Sequence, residues 1–107
     1  MRQITPAELA DWLGEKERPK PVLLDVREPW EFQTCRIAGS RHVPIGQIAA
    51  RKDEIDPAAD IVVICHHGAR SMHVAMFLER NGYAKVHNLA GGVDSWARTV
   101  DRSMPVY

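Results

Sequence analysis

The sequence has few cysteines and no long apolar run, and these two absences exclude several classes of protein. Among its 107 residues are only two cysteines, Cys35 and Cys65, whose spacing fits neither a CxxC redox pair nor paired zinc ligands. No segment is apolar over enough residues to span a bilayer, and the opening stretch, MRQITPAELADWL, lacks the apolar core of a signal peptide. We therefore expect a cytoplasmic protein with free thiols and no membrane partner.

The chain also lacks net charge, because 14 Lys and Arg balance 14 Asp and Glu. Zero net charge gives no reason to expect a nucleic-acid partner. The charge is uneven, however, since the first 60 residues carry nine basic and eleven acidic side chains and the remainder carries five basic and three acidic. Cys65 lies in the mildly basic part, together with four of the five histidines. This placement favours an anionic substrate.

The spacing of apolar residues predicts strands that alternate with helices. We predict strands at 22–26, just before Pro44, at 61–64 and at 85–89. We predict helices after the capping sequence Thr5-Pro6-Ala7-Glu8 and at 28–32, 48–55, 70–81 and 93–97. With 45% hydrophobic residues, this alternation predicts one α/β domain over residues 1–107 with a mostly parallel sheet.

A polar loop, Cys65-His66-His67-Gly68-Ala69-Arg70-Ser71, joins the strand at 61–64 to the helix at 70–81. Ligands bind at the carboxyl ends of parallel strands, and the first amides of a helix favour an anion. Such amides and a nearby arginine favour a thiolate. The glycine helps backbone amides converge on one point, and the arginine offers a planar fork to an oxyanion. The loop therefore predicts that its cysteine is a nucleophile.

Two other interpretations of the loop concern its cysteine and histidines. A cysteine after a buried strand is often a small core residue, and His66 and His67 fit solvated loop positions as well as substrate contacts. A metal site formed by Cys65, His66, His67 and His73 has suitable ligand types. Three consecutive residues rarely surround one tetrahedral ion, however, so we expect no metal and no cofactor.

Two further alternatives are enzymes of other classes. A Cys–His hydrolase needs an oriented imidazole that faces Cys65, which His42 or His87 would supply only if the fold brings it near. A cysteine phosphatase has five residues between its Cys and Arg, whereas here Arg70 follows Cys65 after four. A shorter loop makes a smaller cradle, better matched to a single sulfur than to a phosphate.

Four segments in this order resemble the single-domain rhodaneses, a family of sulfurtransferases. They are LDVREPWEF at 24–32, IAGSRHVP at 37–44, the loop CHHGARS at 65–71, and NLAGGVDSW at 88–96. The resemblance implies a five-stranded, mostly parallel sheet with helices on both faces. The chain departs from the family at Cys35-Arg36, where the family often has Gly-His.

The resemblance also implies a two-step reaction without a cofactor. Cys65 would take the outer sulfur of an anionic donor such as thiosulfate as a persulfide and then pass it to cyanide or another thiol. The amides of the loop, from His66 to Ser71, would stabilise the persulfide, and Arg70 would stabilise the sulfite-like leaving group. Asp25 and Arg27 would pair in a supporting, structural role.

Alternatives to a self-sufficient thiosulfate sulfurtransferase stay open. The domain is also interpretable as a sulfur-relay or interaction module that passes its persulfide to a partner protein. An enzyme similar to cysteine phosphatases or arsenate reductases is less favoured because of the short loop. We predict that Cys35 is a surface thiol; within reach of Cys65 it would instead accept sulfur or form a disulfide.

Overall fold

The computed structural model describes residues 1–107 and contains a five-stranded sheet in the order β1-β5-β4-β2-β3. The strands are β1 (Arg2–Ile4), β2 (Val22–Asp25), β3 (Arg41–His42), β4 (Ile61–Ile64) and β5 (Val86–Leu89). Every neighbouring pair runs parallel. The predicted α/β fold is therefore confirmed, and the carboxyl ends of all five strands meet at one edge of the sheet.

Helices connect the strands and cover both faces of the sheet. They are α1 (Pro6–Gly14), α2 (Pro29–Thr34), α3 (Ile48–Arg51), α4 (Ala69–Arg80) and α5 (Gly92–Thr99). The predicted capping box at the start of α1 is present, because Thr5 accepts from the Glu8 amide and Glu8 accepts from the Thr5 amide. The predicted helix at 48–55 is instead α3 between two short 3₁₀ turns, Ile45–Gln47 and Lys52–Glu54.

Alternate residues of the central strands point into two apolar cores, one on each face. Val62 and Ile64 pack with α1 and α5, through residues such as Trp12 and Trp96. Ile61, Val63 and Cys65 pack with α3 and α4. This two-sided burial explains why β4 is an uninterrupted apolar run. No helix is both long enough and apolar enough to cross a membrane.

The first strand was missing from the predictions based on residue patterns. The segment MRQI has too few apolar residues to indicate a strand, but Arg2–Ile4 pairs with the edge of β5. Only Ile4 of this strand is buried, and the other two residues are exposed. Because pairing with a preformed neighbour supplies the hydrogen bonds of an edge strand, short polar segments of this kind leave no clear pattern in a sequence.

The prediction that Cys35 is a surface thiol is wrong. Cys35 is 7% exposed and packs in the core beside α1 and α5, whereas Cys65 packs in the core on the opposite face. Both cysteines are free thiols. Cys35 therefore lies inside the protein, in the core on the opposite face of the sheet from the core that contains Cys65.

Candidate active site

Cys65 directly follows β4, at the carboxyl edge of the sheet, and its sulfur receives two polar contacts. The Gly68 amide donates to Sγ over 3.1 Å, and the Ser71 hydroxyl lies 3.2 Å from it. Gly68 has φ +100°, a conformation that L side chains rarely adopt, and this turns its amide back toward the sulfur. The loop thus folds around Sγ as a cradle for an anionic sulfur.

The carbonyl groups of the loop point away from the sulfur because the start of α5 binds them. The Val93 amide donates to the Cys65 carbonyl over 2.9 Å, and the Asp94 amide donates to the His66 carbonyl over 3.1 Å. A Cβ at Gly92 would lie 2.4 Å from both of these carbonyl oxygens. Glycine at this position therefore lets α5 approach the loop and bind these two carbonyls, while the Gly68 amide faces the sulfur.

Asn88 on β5 fixes the position of the loop through hydrogen bonds. Its side-chain amide donates to the Gly68 carbonyl over 3.1 Å, and to the Gln3 side chain, which fixes its orientation. Its Oδ1 accepts from the Ser71 hydroxyl, which also contacts Cys65. Ser71 and Asn88 are both almost fully buried. This chain of contacts keeps one polar hydrogen next to a buried sulfur.

Arg70 is held by Glu31, a residue that the sequence analysis did not assign to the site. Its two terminal nitrogens donate to the two carboxylate oxygens of Glu31 over 2.7 and 2.8 Å. The Tyr107 hydroxyl donates to Glu31 over 2.9 Å and accepts from Arg27 over 2.8 Å. The expected pairing of Arg27 with Asp25 is present, with a shortest contact of 2.7 Å between two fully buried side chains. These five residues form one continuous ionic network beside the loop.

The network fixes the charges of its members. Hydrogen bonds from Arg70 lower the pKa of Glu31 to about 2, against the opposing effect of burial. The same ion pair raises the pKa of Arg70, and both side chains stay charged. Burial raises the pKa of Tyr107 to about 12, so its hydroxyl keeps its proton. Two cations and two carboxylates therefore balance one another.

The two histidines of the loop do not contact the sulfur. The rings of His66 and His67 stack at 3.8 Å, and the ring of Tyr107 stacks on the other face of His66 at 3.9 Å. Burial and the neighbouring His67 lower the pKa of His66, which favours the neutral imidazole. His42 lies against the Arg27 carbonyl. No imidazole hydrogen-bonds Sγ, and the geometry of a Cys–His hydrolase is absent.

One cluster has the ligand types that a metal ion prefers. The side-chain ligand atoms of His66, His67 and Asp94 lie within 4.8 Å of one another. The two imidazoles are stacked with 25° between their planes, so their nitrogen lone pairs point along similar directions rather than at a common centre. Asp94 already pairs with Arg98 over 3.1 Å. These residues fit a single ion poorly.

The site thus includes three residues that sequence reasoning missed. Glu31 and Asn88 both belong to the segments that carry the resemblance, at 24–32 and 88–96, but nothing in their spacing indicates a contact with the loop. Tyr107 lies 80 positions from Arg27 and carries no pattern. Only the folded chain brings these side chains to the loop.

Comparison with known proteins identifies a family. The model of the rhodanese-like domain family matches residues 5–99. A rhodanese-related protein from Thermoplasma volcanium has a similar structure, with a TM-score of 0.82 and 30% identity, covering 100% of this chain and 98% of that chain.

Two curated relatives have names that refer to sulfur chemistry. A thiosulfate sulfurtransferase GlpE from Pseudomonas fluorescens is 34% identical over 94 residues, covering 88% of this chain and 84% of that protein. A putative sulfur carrier protein YrkF from Bacillus subtilis is 36% identical over 74 residues, covering 69% of this chain and 40% of that protein. The chain spans between 30% and 61% of the length of three of the curated relatives that it matches.

Proposed function

The chain belongs to the rhodanese-like domain family, and we propose that it is a sulfurtransferase that carries a sulfane sulfur as a persulfide on Cys65. The observation that carries this proposal is the cradle around Sγ, where the Gly68 amide and the Ser71 hydroxyl meet one buried sulfur. The carbonyls of Cys65 and His66 are turned toward α5 instead. Such a cradle suits an anionic sulfur.

The proposed reaction has two steps. The Cys65 thiolate attacks the outer sulfur of a donor such as thiosulfate, an S–S bond forms, and the original S–S bond breaks so that sulfite leaves with the electron pair. Cyanide or a thiolate then attacks the outer sulfur of the persulfide, and the Cys65 thiolate leaves. No net oxidation of the protein occurs, and no cofactor is needed.

The residues of the loop have separate roles in this proposal. The amides of the loop, from His66 to Ser71, surround the persulfide and stabilise its charge. Arg70 lies at the rim of the loop with 37% of its side chain exposed, where the N–H groups that Glu31 does not bind can meet the departing anion. A reducing compartment such as the cytoplasm suits this chemistry, because the nucleophile must stay a free thiol.

Turnover of thiosulfate and cyanide tests the proposal. We expect the wild-type protein to form thiocyanate and Cys65→Ser to form none. Cys35→Ser is the matched control, because Cys35 is also a buried free thiol but lies on the other face of the sheet. Equal activity in Cys65→Ser and the wild-type protein would contradict the assignment of the nucleophile.

A sulfur relay to a partner protein is a second candidate function. It is favoured by one observation, namely that Glu31 already fills the fork of Arg70, which weakens capture of a small oxyanion. The name of the relative from Bacillus subtilis, a putative sulfur carrier, points in the same direction. A pull-down with persulfidated protein and with Cys65→Ser tests this candidate: a partner captured only by the persulfide supports a relay, and its absence counts against one.

A further inference from the structure

We propose that Glu31 is a specificity-determining residue that directs Cys65 toward sulfur donors with less negative charge than thiosulfate. The inference rests on the proposed function and concerns the class of donor at the same site. Glu31 accepts one N–H from each terminal nitrogen of Arg70. A sulfonate or sulfite group that approached this fork would have to compete with the Glu31 carboxylate.

The position of Glu31 is fixed from several sides. Its Oε1 accepts from the Glu28 amide over 3.0 Å as well as from Arg70, and its Oε2 accepts from the Tyr107 hydroxyl as well as from Arg70. Glu31 is 3% exposed. Each oxygen of this carboxylate accepts two hydrogen bonds, and the side chain has almost no contact with solvent. It therefore does not move aside freely for an incoming anion. A donor at the rim therefore meets Arg70 together with its carboxylate.

The charges at the rim, which is formed by Arg70 and the side chains that hold it, balance one another. This balance also disfavours a doubly charged donor. Arg27 and Arg70 are matched by Asp25 and Glu31, through contacts of 2.7 Å in each pair. The neighbouring His66 is biased toward its neutral form by burial and by His67. The rim thus offers no uncompensated cation within this network. A dianion gains little there and is repelled by the Glu31 carboxylate, whereas a monoanion is repelled less.

Two sulfur donors that differ in charge but react with Cys65 in the same way can test this preference. Thiosulfate is a dianion, and methanethiosulfonate is a monoanion with the same type of S–S bond to an oxidised sulfur. In each case the Cys65 thiolate attacks the outer sulfur and forms a persulfide. The original S–S bond breaks, and sulfite or methanesulfinate leaves with the electron pair. A change in the ratio of the two loading rates between the wild-type protein and a variant therefore reports a change in the charge preference of the rim.

The test measures single-turnover loading of Cys65 by intact-protein mass spectrometry with each donor. In Glu31→Gln we expect the thiosulfate concentration that gives a half-maximal loading rate to fall about tenfold, and the preference for methanethiosulfonate to fall about fivefold, because the repelling charge is gone. Glu17→Gln is the matched control, since it removes the same charge from an exposed side chain that binds neither Glu31 nor Arg70. We expect the ratio of the two rates to stay within about twofold of wild type in this control.

A second variant keeps the proposal testable if Glu31→Gln fails to fold. Tyr107→Phe removes one hydrogen bond to Glu31 without removing a charge, and we expect a smaller shift of the ratio in the same direction. Sulfur loading with an unchanged ratio in the folded variants would overturn the role of Glu31 and leave the proposed function intact. If neither donor loads Cys65 in any variant, the proposed function fails and the inference fails with it.

Discussion

At the scale of single residues, the Ser71 hydroxyl is the most informative group at the sulfur. It has one hydrogen but lies against two acceptors, Cys65 Sγ and Asn88 Oδ1. When Cys65 is a thiol, the hydroxyl can donate to Asn88 and accept from the thiol. When Cys65 is a thiolate or a persulfide, the same hydroxyl can rotate to donate to the sulfur. Asn88 therefore holds a donor in place until charge develops.

Removal of this hydroxyl is expected to slow sulfur transfer without unfolding the protein. In Ser71→Ala one hydrogen bond to the anionic sulfur is lost, worth about 1 to 1.5 kcal/mol, so loading of Cys65 is expected to slow about five- to tenfold. Single-turnover mass spectrometry measures the rate, and Ser103→Ala, at an exposed position, serves as the control. A loading rate in Ser71→Ala equal to that of the wild-type protein would show that Ser71 does not assist sulfur transfer.

The Glu31–Arg70 pair is expected to make stability depend on acid pH. Because the folded state lowers the pKa of Glu31 from 4.5 to about 2, its contribution is complete above about pH 4.5 and is lost as the pH falls through about 2. With Arg70 37% exposed, we expect this contribution to be about 1 to 2 kcal/mol. Urea unfolding at pH 7 and pH 3 measures it.

The variant Glu31→Gln supplies the reference for this measurement. It lacks the titrating group, so its free energy of unfolding should fall less than that of the wild-type protein between pH 7 and pH 3. Equal losses of the free energy of unfolding in the two proteins would show that ionisation of Glu31 does not contribute to stability.

At the scale of secondary-structure elements, the contact between the loop and α5 determines the shape of the cradle. The first amides of α5 have no partners within the helix, and the carbonyls of Cys65 and His66 accept from two of them. The same contacts turn these two carbonyls toward α5, and the Gly68 amide faces the sulfur. The Gly-Gly pair at 91–92 is therefore part of the site.

Substitution of Gly92 is expected to open this contact. In Gly92→Ala the new Cβ would lie 2.4 Å from the Cys65 and His66 carbonyl oxygens, so we expect a loss of more than about 2 kcal/mol in stability together with loss of sulfur loading. Gly82→Ala separates the two causes, because Gly82 also has a positive φ of +90° but nothing within 4 Å. We expect that control to lose about 1 kcal/mol and to keep its activity. Equal losses in the two variants would contradict a specific role for the contact.

At the scale of the whole molecule, Arg27 joins segments that are far apart in the sequence. The fully buried guanidinium donates to Asp25 at the end of β2, to the Glu31 and Cys35 carbonyls around α2, and to Tyr107. Removing one partner of a buried ion pair leaves the other without compensation. The side chain therefore supports both the edge of the sheet and the residues that hold Arg70.

Arg27→Lys is expected to destabilise the protein by about 3 kcal/mol or more, because an ammonium group cannot make these divergent hydrogen bonds. The control is Arg41→Lys, because the ion pair of Arg41 with Glu54 is exposed and should contribute little to stability. Chemical denaturation of both variants measures the difference. A small effect for Arg27→Lys would contradict the supporting role.

The sequence was sufficient to predict the parts of the fold that depend on local patterns. The apolar run of β4 and the capping box of α1 result from neighbouring residues, and both predictions are confirmed. The strand β1 was not predictable in the same way, because it forms by pairing with β5 and has one buried residue. The burial of Cys35 was missed because the segment around it has no regular spacing.

The candidate site likewise has a part that local sequence patterns predict and a part that they do not. The cradle at 65–71 was predictable, since a cysteine, a glycine and a helix start follow one another in the chain. The contacts of Glu31, Asn88 and Tyr107 with this loop join residues that are 17 to 41 positions apart. No local pattern encodes such contacts, and the charge that Glu31 brings to Arg70 could be found only in the folded structure.

Intact-protein mass spectrometry tests whether Cys65 carries the transferred sulfur. Reduced protein is exposed briefly to thiosulfate or methanethiosulfonate and then to cyanide, alongside Cys65→Ser and Cys35→Ser. We predict the added mass of one sulfur atom in the wild-type protein and in Cys35→Ser, its removal by cyanide, and no addition in Cys65→Ser. Sulfur on Cys65→Ser, or none on the wild-type protein with either donor, would contradict this role of Cys65.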